Sequence, residues 1–130
     1  AAAAYAEALA AGGAEAEAAF NRGNVLFTLG RLDEAVACFE GALEADPRYV
    51  EAWNNLASVQ LARSEWQRAV EAGCRAVDLA RNYADAHFNL AQAYHALGRR
   101  DEARRHARVY WKLDPHSEWA RLLREDLDLS

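Results

Sequence analysis

The chain has 130 residues, 52% hydrophobic and 27% charged, with a formal net charge of −5, which suits one globular domain with a buried core. A negative balance speaks against a general nucleic-acid surface, which needs a clustered positive field, and no stretch approaches the roughly 20 apolar residues that cross a bilayer. Only two prolines and an abundance of alanine favour helix over strand throughout.

Other compositional signals are weaker. No basic segment precedes an apolar one at the start, and the expectation is a cytoplasmic protein. Lys112 is the lone lysine among many arginines, a bias of GC-rich genomes that suggests a bacterial source. Cys38 and Cys74 make no CxxC pair and read as small packing thiols in a reducing compartment.

A 34-residue self-similarity organises the rest. Ala16-Glu17-Ala18, Val50-Glu51-Ala52 and Ala84-Asp85-Ala86 align, as do Gly23 with Ala57 and Ala91, Ala35 with Ala69 and Ala103, and Ala42 with Ala76. Small residues locked in phase mark where helices approach closely. In chain order, residues 1–13 come first: Ala1, Tyr5, Ala8 and Gly13 share the phases of Ala35, Phe39, Ala42 and Pro47, which reads as half of a preceding repeat, or else as a low-complexity alanine helix. Three full units follow at 16–49, 50–83 and 84–117. Each reads as two amphipathic helices, over 16–29 and 32–45, 49–62 and 65–79, and 83–97 and 100–113. Gly30 and Gly98 stand where helix ends call for a left-handed residue, Asp33 and Asp101 fall in the following first turns, and Pro47 and Pro115 stop continuation. A last amphipathic helix over 118–130 has Glu125 in the phase of Gly23, Ala57 and Ala91, which suits a cap and not another hairpin.

Unit two opens with Trp53, Leu56 and Ala57; unit one carries Gly23, Ala35, Phe39, Ala42 and Pro47; unit three carries Leu90, Ala91, Tyr94, Ala103 and Pro115. This resembles the tetratricopeptide repeat family, whose pattern runs aromatic, Leu, Gly, Tyr, Ala, aromatic, Ala and Pro. The chain departs from it at Gly73 and Ala107 in place of an aromatic, Arg81 in place of proline and Tyr110 in place of a small residue, where looser packing is expected. The resemblance implies an all-α, right-handed superhelical solenoid of antiparallel helix pairs, forming a single domain over residues 1–130. It also implies that the first helix of each unit lines a concave face.

On those first helices, helical spacing selects Phe20, Asn21, Asn24, Phe27 and Thr28, then Asn54, Asn55, Ser58, Leu61 and Ala62, then Phe88, Asn89, Gln92, His95 and Ala96. Asn21, Asn55 and Asn89 form a ladder of amides one repeat apart. A carboxamide offers both donors and an acceptor and so can grip a peptide unit without reading its side chain; relatives with asparagine-lined grooves hold peptide backbones in this way. Alternatively, these amides bond to neighbouring helices. The family's other mode, a lysine- and arginine-based clamp on a chaperone tail's carboxylate, is not matched, because Phe20, Asn24, Asn55, Phe88 and Gln92 occupy its places and supply no cation.

Glu17, Glu51 and Asp85 form a second ladder, either favouring the helix dipoles or a ligand with positive charge along one edge. Arg99, Arg100, Arg104, Arg105 and Arg108 read as a solvated face with Asp101 and Glu102. His87, His95, His106 and His116 include no i,i+4 pair, and no metal, cofactor or catalytic constellation is expected. The chain thus reads as a binding scaffold for an extended peptide and not an enzyme, with Phe20, Phe27, Phe88 and Leu61 as apolar contacts. Three rival readings are a regulatory region of a larger bacterial protein, because residues 84–120 look like repeats joined to helix-turn-helix regulators; a substrate-recruiting region of an enzyme such as a glycosyltransferase; and self-assembly through an open N-terminal edge.

Overall fold

The computed structural model describes the backbone of residues 2–121 and the side chains of residues 12–121. Among the described residues, six helices precede a short helical turn at 118–121: α1 (Ala2–Thr28), α2 (Leu32–Ala45), α3 (Val50–Ala62), α4 (Trp66–Leu79), α5 (Ala84–Ala96) and α6 (Arg100–Leu113). They pair as α1 with α2, α3 with α4 and α5 with α6, and each pair stacks on the next. From α2 onward the boundaries agree with the periodicity to within a residue, which is about as sharply as helix ends are defined.

The exception is α1. It runs unbroken through Gly12 and Gly13, so the helix boundary expected there is absent. Two glycines cost a helix roughly 1 kcal/mol each, and the surrounding alanines are the strongest helix formers available. The side chains of Ala1, Tyr5 and Ala8, which carried the half-repeat reading, lie outside the described residues. So does most of the expected cap: a helical turn opens at 118–121, while Glu125 and residues 122–130 lie beyond the described part.

Each hairpin turns the same way. Gly30, Ser64 and Gly98 have φ of +77°, +60° and +76°, and each donates its N–H three residues back, Gly30 to Phe27, Ser64 to Leu61 and Gly98 to His95, at 2.9–3.0 Å. The next residue in each case, Arg31, Glu65 or Arg99, donates to the carbonyl five back at 2.8–2.9 Å. These are Schellman closures, which satisfy helix-end carbonyls at the cost of one left-handed residue. Glycine takes that conformation freely, whereas Ser64 does not.

The core forms two continuous clusters. One joins units one and two around Phe39, Ala35, Ala42, Ala52, Ala57 and Val59; the other joins units two and three around Leu90, Ala91, Ala93, Ala103 and Ala107. Close approach occurs where the phase-locked small residues stand. A Cβ added at Gly23 would fall 2.7 Å from the fully buried Phe39 ring. At Gly73, the looser packing expected for a missing aromatic is not found: Leu90 reaches across from α5, and a Cβ there would lie 2.8 Å from its Cγ. Ala107 is fully buried. Tyr110, in place of a small residue, packs against Phe88 at 5.3 Å between ring centroids and shares a hydrogen bond with Ser117 Oγ at 3.1 Å.

Candidate functional site

The first helices make the tighter layer. α1 touches α3 and α3 touches α5, whereas α2, α4 and α6 meet chiefly the first helices beside them. The first helices thus form one layer of the stack and the second helices the other.

Along the layer of first helices the asparagines divide. Asn55 Nδ2 donates to Asn24 Oδ1 at 2.7 Å, linking residues 31 apart. Asn89 Nδ2 donates to Ser58 Oγ at 3.1 Å, again 31 apart, and to Asn54 Oδ1 at 2.8 Å. The rule is thus one step back and across: the amide in each unit reaches the residue three positions beyond its counterpart in the unit before. Asn21 heads the series and is exposed. The expected ladder exists as spacing, but at Asn55 and Asn89 it is also a brace between repeats, the alternative the sequence had left open. Asn54 and Asn89 are only 5% and 6% exposed. Asn54 Oδ1 and Asn89 Nδ2 are committed to the joint.

The other selected residues sort by burial. Asn24 and Asn55 are half-buried, whereas Gln92 and His95 are exposed. Phe20 turns into the joint, with ring centroids 5.9 Å from Phe39 and 4.8 Å from Tyr49. Phe88 does likewise with Tyr110 and with Trp119, the latter at 5.6 Å edge-on. Phe27 and Leu61 are partly buried against the two core clusters. The stripe chosen by helical spacing is therefore mixed: its aromatic members lean toward the core, while its polar members divide between the buried Asn54 and Asn89 and the exposed Asn21, Gln92 and His95.

Glu17, Glu51 and Asp85 are all exposed. Glu51 and Asp85 sit in first turns and suit the helix dipole, but Glu17 lies deep inside α1, far from its start at Ala2. Burial, followed by the charge of Glu51, Glu17 and Asp46, raises the Tyr49 hydroxyl above its usual range, and burial followed by Asp85 and Glu51 does so for Tyr83. Just ahead of the arginine-rich α6, Arg99 pairs with Glu102 at 2.7 Å and lies 5.2 Å over the Tyr94 ring.

One contact had no signal in linear spacing. His87 Nδ1 and His106 Nδ1, 19 residues apart, stand 3.0 Å from each other. Only the pairing of α5 with α6 brings them together; His87 stands one repeat after Trp53. Among the described residues, no group of three or more His, Cys, Asp or Glu side chains could hold a metal ion, and no helix is long and apolar enough to cross a membrane.

Comparisons with known proteins agree with this architecture. A family model described as tetratricopeptide repeat matches residues 1–47 and 22–84, and another of the same description matches residues 60–125. A STIP1 homolog from Dictyostelium discoideum is 29% identical over 75% of this chain, and a TPR repeat-containing thioredoxin from Arabidopsis thaliana is 32% identical over 77%. The matched parts are 17% and 15% of those proteins, so the chain spans about a sixth of the curated relatives' length. The first TPR of Spaghetti (RPAP3), solved bound to the HSP90 peptide SRMEEVD, is 26% identical with a TM-score of 0.87, covering 90% of this chain and 93% of that one. With stacked helix pairs, a 34-residue period and family matches running through all three units, the chain belongs to the tetratricopeptide repeat family.

Proposed function

We propose that the chain is a protein-interaction module whose concave face holds an extended, largely uncharged peptide segment. The observation that carries this reading is the half-buried Asn24–Asn55 pair on the inner faces of α1 and α3. That bond uses one of the two Nδ2 hydrogens of Asn55; its other hydrogen and its Oδ1 are the complement of a peptide unit's C=O and N–H. Asn21, Gln92 and His95 extend the polar face on either side, with Phe27 and Leu61 below it. Asn54, Asn89, Phe20 and Phe88 hold the repeats in register and present the others. The similar RPAP3 domain was solved with a peptide bound, which supports a peptide as the class of ligand.

The sequence of that peptide does not carry over. SRMEEVD ends in acidic residues and a carboxylate, and a desolvated carboxylate needs a compensating cation. Here Phe20, Asn24, Asn55, Phe88 and Gln92 occupy the corresponding places, beside the exposed carboxylates Glu17, Glu51 and Asp85.

The test is an array of uncharged peptides, followed by fluorescence anisotropy on the segment that binds best. Asn55→Ala combined with Gln92→Ala is expected to weaken binding about tenfold, the effect of losing two net hydrogen bonds at roughly 0.5–1.5 kcal/mol each. A labelled SRMEEVD peptide is expected to bind more weakly than its amidated form with Gln for each Glu. Unchanged affinity in the folded double variant, or tighter binding of the acidic peptide, overturns the reading.

A further inference from the structure

The chain departs from the family pattern at two adjoining places across the boundary of units two and three, with Arg81 in the phase of Pro47 and His87 in the phase of Trp53. The geometry nevertheless repeats. Trp53 Nε1 donates to the Pro47 carbonyl at 2.8 Å, and His87 Nε2 stands 2.8 Å from the Arg81 carbonyl. A carbonyl oxygen only accepts, so His87 Nε2 carries the hydrogen. In the neutral ring Nδ1 is then a bare acceptor, and His106 Nδ1, 3.0 Å away, must be the donor. One carbonyl thereby fixes both tautomers. The resulting chain, His106 to His87 to Arg81, joins α6 through α5 to the turn leading out of α4, a link no indole could extend because an indole has no acceptor nitrogen.

The surroundings suit a neutral His106 ring. His87 is 6% exposed. The His106 ring is half-buried, 5.2 Å from His87 and 5.7 Å from Tyr94 in near-parallel stacks. From α4, Cys74 Sγ lies 3.9 Å from the Tyr94 hydroxyl; the α4–α5 turn contributes the Arg81 carbonyl; on α5, Asp85 is exposed two residues before His87. At the start of α6, Arg99 is paired with Glu102 and covers Tyr94, and Arg105 adjoins His106. Burial first, then His87 and then Arg105 hold the His106 imidazolium down to about 4 from the ordinary 6.5.

We propose that the His87–His106 pair is an acid-released latch, in which the neutral pair ties α6 to the α4–α5 turn and protonation frees it, loosening the third hairpin while the first two stay folded. A proton on His106 Nε2 places a partly buried charge beside Arg105. A proton on His87 Nδ1 sets N–H against N–H across the contact. Either conflict ends when the rings part into water. Because the folded-state value of His106 lies below that of the unfolded chain, the closed form binds fewer protons. The latch's contribution is therefore complete above about pH 6.5 and drains away as pH falls toward 4. Release would detach the outer wall from α5, the helix that carries Asn89 and Phe88. This inference stands independently of any peptide, since its readout is local stability.

Nitrogen-15 NMR of the histidine rings, together with hydrogen exchange corrected for the intrinsic effect of pH, tests it on the intact chain. Expected are an Nε2–H tautomer for His87, an Nδ1–H tautomer for His106, and a His106 midpoint well below 6.5. Protection of α6 should fall roughly tenfold between pH 7.5 and 5 while that of α2 holds, a figure discounted for the water that reaches the half-buried ring. His106→Asn places an amide N–H where Nδ1–H stood but cannot titrate, so it should flatten the α6 profile. If that variant does not fold, His106→Gln, which likewise cannot titrate, serves the same comparison. A His106 midpoint near 6.5, the opposite tautomers, or an α6 profile in the variant that follows the parent's through the same pH range overturns the proposal.

Discussion

The two joints between repeats meet the same geometric demand with different chemistry. In the core that joins units one and two, the Phe39 ring lies over Gly23 of its own unit, the Trp53 indole closes on the Pro47 carbonyl, and one amide bond joins Asn55 to Asn24. Between units two and three, Leu90 fills the face of Gly73, an imidazole replaces the indole, and Asn89 is bonded to both Asn54 and Ser58. The second joint is the more polar, and its imidazole contacts the titrating His106 ring on α6. The period thus fixes where a group must stand and what bond it must make, while leaving open whether the group is apolar, polar or ionisable.

Truncating the large side chain at each joint should break this equivalence most strongly. Phe39 and Leu90 are both fully buried. Phe39→Ala should cost about 3–5 kcal/mol and Leu90→Ala about 2–5 kcal/mol by urea denaturation. Should either cost less than about 1 kcal/mol, the joint concerned is not packed around that residue. The polar braces come next. Asn89→Ala leaves Asn54 and Ser58 in a buried site without their donor and should cost about 1–3 kcal/mol, whereas Asn55→Ala strands only the half-buried Asn24 and should cost about 0.5–1.5 kcal/mol. A reversed order would mean that burial does not set the weight of the two braces. Trp53→Phe removes the indole bond to Pro47 at every pH alike, so its effect should show no inflection between pH 7.5 and 5, unlike a change at His106.

What was legible in the sequence follows the same division. Small residues recurring every 34 positions announced the helix pairs because close helix approach excludes larger side chains wherever it occurs. Gly30 and Gly98 announced their turns because only glycine takes the left-handed position without strain. The inner-face asparagines were found by phase, but phase could not say which of them face one another: Asn89 meets Asn54 and Ser58 because α5 is offset against α3. His87 and His106 were invisible as a pair because their contact depends on the crossing of α5 and α6. The start of α1 was misplaced because an alanine-rich flank carries helix through two glycines that would end it in a less helical context.

Ser64 is the smallest and sharpest of these differences. It occupies the position held by Gly30 and Gly98 and makes the same backbone bond at 3.0 Å, yet it does so at φ +60° with a side chain in place. A left-handed L-residue costs roughly 1–2 kcal/mol, and glycine returns part of that through its greater freedom in the unfolded chain. Ser64→Gly should therefore stabilise the protein by about 0.5–1 kcal/mol in urea denaturation, with the gain in the turn joining α3 to α4. Gly30→Ser and Gly98→Ser should lose a similar amount. If instead Ser64→Gly destabilises, the second turn is held by its side chain and not by the backbone closure it shares with the other two.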